Sequence, residues 1–231
     1  MEITPIAHIS TDLPAKFGLP RQSGLVDELE GAIVMESAFR QAEALRGLEE
    51  FSHIWLIWDF SEAHMSHWSA TVRPPRLGGN ERKGVFATRS PFRPNSLGLS
   101  CVRLERIDYD APDGPVIYVR GIDMMDGTPI YDIKPYVPVA DCHPDAREGF
   151  TQRTRMHSLE VRFDEELIER VPEGKRAALT GLLAQDPRPG YIDAPDRKYG
   201  VEFAGLNVRF TVNHGVLHVF EIEDARTLGG A

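Results

Sequence analysis

Seventeen residues from Gly84 to Ser100 (GVFATRSPFRPNSLGLS) form the densest group of side chains able to recognise a ligand. A strand leads into Arg89, and Pro91 and Pro94 then fix φ and restrict Ser90 and Arg93 before them. Arg89, Phe92 and Arg93 are thus presented by a stiff loop with little entropy left to lose on binding. Guanidinium groups fork oxyanions and aromatic rings stack on bases, so the loop suits a ligand with an anionic part and a flat base. A rigid crossover that buries Phe92 would use the same residues, and the sequence leaves both readings open. A second cluster, Gly121 to Pro138 (GIDMMDGTPIYDIKPYVP), gathers Asp123, Asp126, Asp132 and Lys134 within twelve residues. Such carboxylates can hold a ribose, neutralise a cation or take a proton, although Asp126-Gly127 is also an ordinary turn signal. A third element, Leu19 to Gly24 (LPRQSG), is a polar turn close to the first strand.

Other chemistries find less support. There is no strand-following GxGxxG or GxxxxGK[ST], so a Rossmann or P-loop site is not expected. His64 with His67, and Cys142 with His143, lack the second ligand pair of a zinc site, and no metal is expected. No GxSxG and no framed Cys-His pair marks a hydrolase nucleophile. Twenty-six cations against 35 acids give a net charge of −9, which argues against a protein whose whole surface collects nucleic acid. Arg73 to Arg93 is the exception, with six cations (Arg73, Arg76, Arg82, Lys83, Arg89 and Arg93) against Glu81, a net +5 that leaves −14 elsewhere. That run could hold a small polyanion while the remaining surface repels it, or be a solvated loop.

The elements that must carry these residues are mostly short strands up to about residue 140. Period-2 or continuously apolar runs cover Ile3 to Ile9, His53 to Phe60, Gly84 to Thr88, Leu97 to Ile107 and Val116 to Ile122. One short helix is predicted through Ala38, Phe39, Ala42 and Leu45, with Ser37 as N-cap and Gly47 beyond its end. Between Leu97 and Leu104 the apolar phase moves by one residue at Cys101 and Val102, which predicts a β-bulge of the kind that closes a barrel. The polar stretch from Asp141 to Ser158 places a domain boundary, giving domains at 1–145 and 155–231. The second domain reads as a small α+β unit: a strand at Leu159 to Phe163, helices at Glu165 to Val171 and Lys175 to Ala184, and a hairpin turning at His214-Gly215. The longest apolar run, Ile54 to Trp58, is far short of the ~20 residues of a membrane helix. The N-terminus lacks a cationic, then apolar leader, and two cysteines need no bridge, so a cytoplasmic protein is expected.

Four segments of the first 140 residues closely resemble the TsaA-like family of bacterial TrmO tRNA methyltransferases. They are GVFATRSPFRPN from Gly84, TVRPPRLGGN from Thr71, DGTPIYDIKPY from Asp126 and RGLEEFSH from Arg46. Leu183 to Tyr191 (LAQDPRPGY) is similar to the signature of that family's C-terminal domain; Ser96, where a third proline is expected, is a departure. The resemblance implies a small antiparallel β-barrel, outside the Rossmann class, that binds S-adenosylmethionine as methyl donor. It further implies a homodimer that methylates the exocyclic nitrogen of a threonylcarbamoyl-modified adenosine beside the tRNA anticodon. By the same resemblance the cofactor meets Pro20, Arg21, Gln22, Ser61, Glu62, Arg89, Leu99 and the Asp123, Met124, Met125, Asp126 turn. Because most of such a transfer is positioning, the chemistry asks little more than a carboxylate to take the proton lost from nitrogen; Asp126 and Asp132 are the candidates. Arg73, Arg76, Arg93 and Lys134 are then expected to grip anticodon-loop phosphates and bases. Two alternatives stay open: a non-catalytic module binding S-adenosylmethionine or RNA, and a small-molecule methyltransferase of the same fold.

Overall fold

The computed structural model describes residues 2–74, 77, 81–154, 158–164, 166–188, 194 and 197–225; Arg76 lies outside the described residues. Strands β1 (Ala7–Thr11), β2 (Glu30–Met35) and β3 (His53–Asp59) are followed by a two-stranded ribbon of β4 (Thr71–Val72) and β5 (Lys83–Gly84). Next come β6 (Leu97–Asp108), β7 (Val116–Arg120) and β8 (Thr128–Pro135). Six of them close a barrel in the order β1-β2-β7-β6-β3-β8, every pair antiparallel. Alternation sends Ile9, Ile33, Ile54, Leu56, Val102, Ile117, Val119 and Ile130 inward, where each is essentially fully buried. Their apolar area is what closes the barrel, at about 25 cal/mol per Å² removed from water.

Beyond the short helix α1 (Pro138–Asp141), a second sheet runs β10 (Tyr199–Phe203), β11 (Leu206–Asn213), β12 (Val216–Asp224), β9 (Glu160–Phe163). Helix α2 (Glu173–Ala184) packs Ala178, Leu179, Leu182 and Leu183 into the same core. His214 and Gly215 both take positive φ, 49° and 79°, as a two-residue hairpin turn requires.

The second sheet grips the segment that links β1 to β2. Ala204 donates its amide to the Asp12 carbonyl at 2.9 Å, Phe17 stacks on Tyr199, and Lys175 pairs with Asp12 at 2.7 Å and Glu30 at 3.2 Å. Arg21 reaches the Arg188 carbonyl at 3.2 Å. The polar turn at 20–24 is therefore braced from outside the barrel.

Several local expectations change. The helix through Ala38 to Leu45 is instead a series of 3-10 turns at Ser37–Phe39, Ala42–Leu45 and Leu48–Glu50. Gln41 is extended between the first two, and so short a segment cannot nucleate an α-helix on its own. Gly84 to Thr88 pairs only through Gly84; Val85–Ala87 is a 3-10 turn that buries Val85 and exposes Phe86. The predicted helix at Glu165 to Val171 reduces to the turn Leu167–Arg170. The bulge lies at Glu105, between Leu104 and Arg106, three residues later than the apolar phase indicates. In β6 the inward residues are Gly98, Ser100 and Val102, and Leu97 and Leu99 face outward. Four strands, β2, β4, β8 and β10, do not figure in the sequence reading; β8 carries Pro129, Asp132 and Pro135, residues that read as turn.

Candidate active site

Three sequence-distant segments meet at one rim of the barrel. Asp123 follows β7 by three residues, and its largely buried carboxylate accepts from Ser100 Oγ at 2.6 Å. Ser100, itself fully buried on the inner face of β6, accepts from Trp58 Nε1 of β3 at 2.9 Å. The indole lies against Gly98, where any Cβ would collide with the ring, so the glycine is what lets Trp58 reach Ser100. Burial raises the Asp123 carboxyl to about 6, opposed by the bonds from Ser100, from the Ser23 backbone and from its own amide, and by the Arg89 charge. Arg89 in turn donates to the side-chain carbonyl of Gln22. The Gly24 amide bonds the Gly121 carbonyl at 2.8 Å, joining the 20–24 turn to the acidic turn.

Gln22, Arg89 and Asp123 are thus brought together, with buried Pro20 and half-buried Arg21 beside Gln22. Ser61 and Glu62 form an exposed turn whose Glu62 carbonyl takes the Lys16 ammonium. The others fall elsewhere. Met124 is fully buried in the barrel core, and Met125 is half-buried next to it. Leu99 points outward from β6, on the opposite side of the strand from Ser100, and is 53% exposed.

The two carboxylates expected to accept a proton have other partners. Asp126 Oδ1 accepts the Thr11 amide at 2.9 Å, which ties the turn before β8 to the end of β1. Asp132 lies on the outer wall of β8, accepts its neighbour Ile133's amide at 2.9 Å and pairs with Lys134 at 2.9 Å. Lys134 is accordingly engaged on the strand's own surface. Arg73 is exposed just beyond β4, and Arg93 is half-buried. Ser100, Trp58 and Ser23 carried no signal in the sequence; with the phase of β6 read one residue off, Ser100 falls on the wrong face.

Asp59, also buried, holds His64 Nε2 at 2.7 Å and the Tyr131 hydroxyl, whose pKa is raised by burial and then by the Asp59 charge. Tyr131 occupies the bulge of β8 opposite β3. Among the described residues no group of three or more His, Cys, Asp or Glu could hold a metal, and no helix is long and apolar enough to cross a membrane.

A closed six-stranded barrel whose ligand groups stand on rim loops, with a second sheet bracing one of them, defines a class of small-barrel enzymes built without a Rossmann crossover. Comparison with known proteins gives its family. Residues 8–142 match the tRNA-methyltransferase O N-terminal domain and residues 156–225 the TrmO C-terminal domain. An Escherichia coli tRNA (adenine(37)-N6)-methyltransferase is 40% identical over 226 residues, 94% of this chain and 96% of its own. A Pseudomonas aeruginosa relative named for S-adenosylmethionine-dependent methyl transfer is 41% identical over 216 residues, 90% and 91% of the two chains. The crystal structure of TrmO from Pseudomonas aeruginosa superposes with a TM-score of 0.77 at 33% identity, covering 96% of this chain and 98% of that one. The chain belongs to the tRNA-methyltransferase O family.

Proposed function

We propose that the protein is an S-adenosylmethionine-dependent tRNA methyltransferase acting on the exocyclic nitrogen of adenosine 37, beside the anticodon, in its threonylcarbamoyl-modified form. The convergence of Gln22, Arg89 and Asp123 in a chain of this family is the observation that carries the reading. These residues fit the donor. A guanidinium suits the amino-acid carboxylate of S-adenosylmethionine, and an ionised Asp123 can accept from its ammonium or ribose hydroxyls. When bound, S-adenosylmethionine supplies an electrophilic methyl on a positively charged sulfur. The chain's own part is to hold and orient: Ser100 and Trp58 fix the Asp123 carboxylate, and Gln22 fixes the Arg89 fork. Asp123 is the carboxylate that faces the donor, and Asp126, which accepts the Thr11 amide, and Asp132, paired to Lys134, stay the candidates to take the proton lost from nitrogen.

Arg89→Ala should therefore weaken S-adenosylmethionine binding about ten- to a hundredfold, the worth of a charge-assisted hydrogen bond. Arg73→Ala should leave that affinity alone and instead flatten the salt dependence of tRNA binding by about one unit of slope. Calorimetry in a chelating buffer and salt-titrated RNA binding measure the two. Intact cofactor affinity in Arg89→Ala, with tRNA binding lost, would turn the whole basic run into an RNA surface.

The same reading makes the working form a cytoplasmic homodimer. Its support is the outer wall of β3 and β6, where exposed Leu97 and Leu99 adjoin half-buried Trp55 and Ile57. Light scattering at micromolar concentration should give twice the chain mass, and Leu99→Glu should halve it. A fully active monomer would count against the dimer.

A further inference from the structure

The turn that carries Ser61 and Glu62 is folded back on the end of β3. Phe60 leaves the strand with its amide on the Ser96 carbonyl at 2.9 Å. Ser61–Ala63 then makes one 3-10 turn, closed by the Ala63 amide on the Phe60 carbonyl at 2.8 Å, and His64 is extended beyond it. This reversal returns the imidazole to Asp59, five residues back, with Nε2 at 2.7 Å from Oδ1. Asp59 is 8% exposed, whereas the His64 side chain is 61% exposed and lines a cleft of about 610 Å³. The Tyr131 hydroxyl of β8 donates to the same carboxylate. Asp59 thus accepts from two sides, so Nε2 carries the ring proton and the lone pair is left on Nδ1.

Resting on the methyl-transfer reading, we propose that His64, oriented by Asp59, is the base of the reaction: its Nδ1 takes the proton that the acceptor nitrogen loses on methylation. The bonds balance without a further reactant. The electron pair of the N–H bond becomes the N–CH3 bond, the pair of the broken S–CH3 bond stays on sulfur, and the proton passes to Nδ1. Asp59 then holds the imidazolium, as a buried carboxylate does for a histidine base. Three observations favour this imidazole over Asp126 and Asp132. An exocyclic nitrogen bearing a carbonyl shares its lone pair, so its methylation gains from a base, and a base works best in the near-neutral range natural to imidazole. One oxygen of Asp126 already holds the Thr11 amide, and Asp132 stands on the outer wall of β8 beside Lys134. His64 also follows Glu62 of the donor turn by two residues, and transfer needs donor, acceptor and base together. The charged and titratable groups about the ring are Asp59, Tyr131, Glu62 and His67 of its own loop, Lys16 on the Glu62 carbonyl, and Arg93 across the cleft. Lys16 and Arg93 favour the neutral ring that begins the step, and Asp59, in contact, favours the charged ring that ends it.

The test joins two measurements on the full-length protein: nitrogen-15 NMR of the imidazole rings without ligand, and the single-turnover rate of methyl transfer to threonylcarbamoyl-modified tRNA from about pH 5 to 9. Saturating donor confines the proton of Asp123, which titrates near 6, to affinity and keeps it out of the rate. In wild type the rate should rise with pH through the imidazole range and then level off. His64→Gln keeps an N–H for Asp59 but cannot take a proton. It should lower the rate about a hundredfold and abolish the acidic limb, with S-adenosylhomocysteine affinity and thermal unfolding unchanged. Asp59→Asn should lower the rate about tenfold and move the limb to lower pH, because the imidazolium loses its counter-charge. His67→Gln should keep both rate and limb. NMR should find the His64 proton on Nε2; a proton on Nδ1 overturns the proposal. So does a limb that survives in His64→Gln, or one that disappears instead in Asp126→Asn or Asp132→Asn, and in those cases the methyl-transfer reading stands. A wild type that transfers no methyl to tRNA overturns that reading and the proposal with it.

Discussion

Asp123→Asn should yield a protein that is more stable at neutral pH and binds its cofactor worse. The carboxyl titrates near 6 in the fold against an ordinary value of 3.8, because burial outweighs the bonds from Ser100 and Ser23 and the charge of Arg89. Below pH 4 both folded and unfolded chains are protonated there, and burial costs nothing electrostatic. Between about 4 and 6 the folded chain keeps a proton that the unfolded chain has released, so stability falls as pH rises; above 6 the cost is constant at roughly 3 kcal/mol. Asparagine carries no charge to desolvate, and its carbonyl can still accept from Ser100 Oγ. Its amide cannot accept from the Ser23 backbone, which takes back part of the gain. At pH 7.5 the variant should melt several degrees higher than wild type, at most roughly 6 to 12 °C at 2 to 4 °C per kcal/mol. At pH 4 the two should coincide. Calorimetry should show cofactor affinity reduced about ten- to a hundredfold, as expected when a charged acceptor becomes neutral. Equal melting temperatures at pH 7.5, or unchanged affinity, would remove Asp123 from the centre of the site.

Gly18→Ala should be the most damaging change outside the rim. Gly18 has φ +97°, where an L side chain is strained, and a Cβ there would collide with Val201 Cγ2 of β10. Backbone strain and overpacking each cost of order 1 to 3 kcal/mol, so roughly 2 to 6 kcal/mol is expected in all. Gly24, with φ +74° and nothing within 4 Å of where a Cβ would stand, supplies the control: Gly24→Ala incurs the backbone cost alone. Adding Val201→Ala to Gly18→Ala should recover part of the loss in thermal unfolding, and the recovery measures the collision. A double variant no more stable than Gly18→Ala would show that φ alone sets the damage.

How much of this was legible beforehand follows from where each residue sits. His53 to Phe60 and Val116 to Ile122 stand out as strands because one face of each meets the barrel core. In β6 the outer wall is apolar too, at Leu97 and Leu99, so alternation there points to the wrong face and displaces the bulge. β8 is hidden by Pro129 and Pro135, which a strand tolerates here although their residue type reads as turn. The stiff arginine loop, the acidic turn and the Pro20-Arg21-Gln22 turn stood out by residue type. That Gln22 reaches Arg89 across 67 positions, and Ser100 reaches Asp123 across 23, is a product of barrel closure and has no local signature. Phe92 is open to solvent, so its loop is not a crossover built to bury that ring.

The brace between the second sheet and the 12–30 segment makes the two modules thermodynamic partners. Arg188, Val201 and Tyr199 hold the chain immediately ahead of Gln22, at Arg21, Gly18 and Phe17, so any free energy a ligand spends in ordering that turn is shared with a sheet it never touches. Reciprocity then requires that the sheet's intactness raise ligand affinity by the same factor by which the ligand raises the sheet's intactness. An evolving lineage could not exchange the second module for another of similar outline and keep its affinity, unless the newcomer also offered a carbonyl to Arg21 and a niche for the bare Cα of Gly18. The two halves are separable as drawings of a fold and inseparable as a heritable unit.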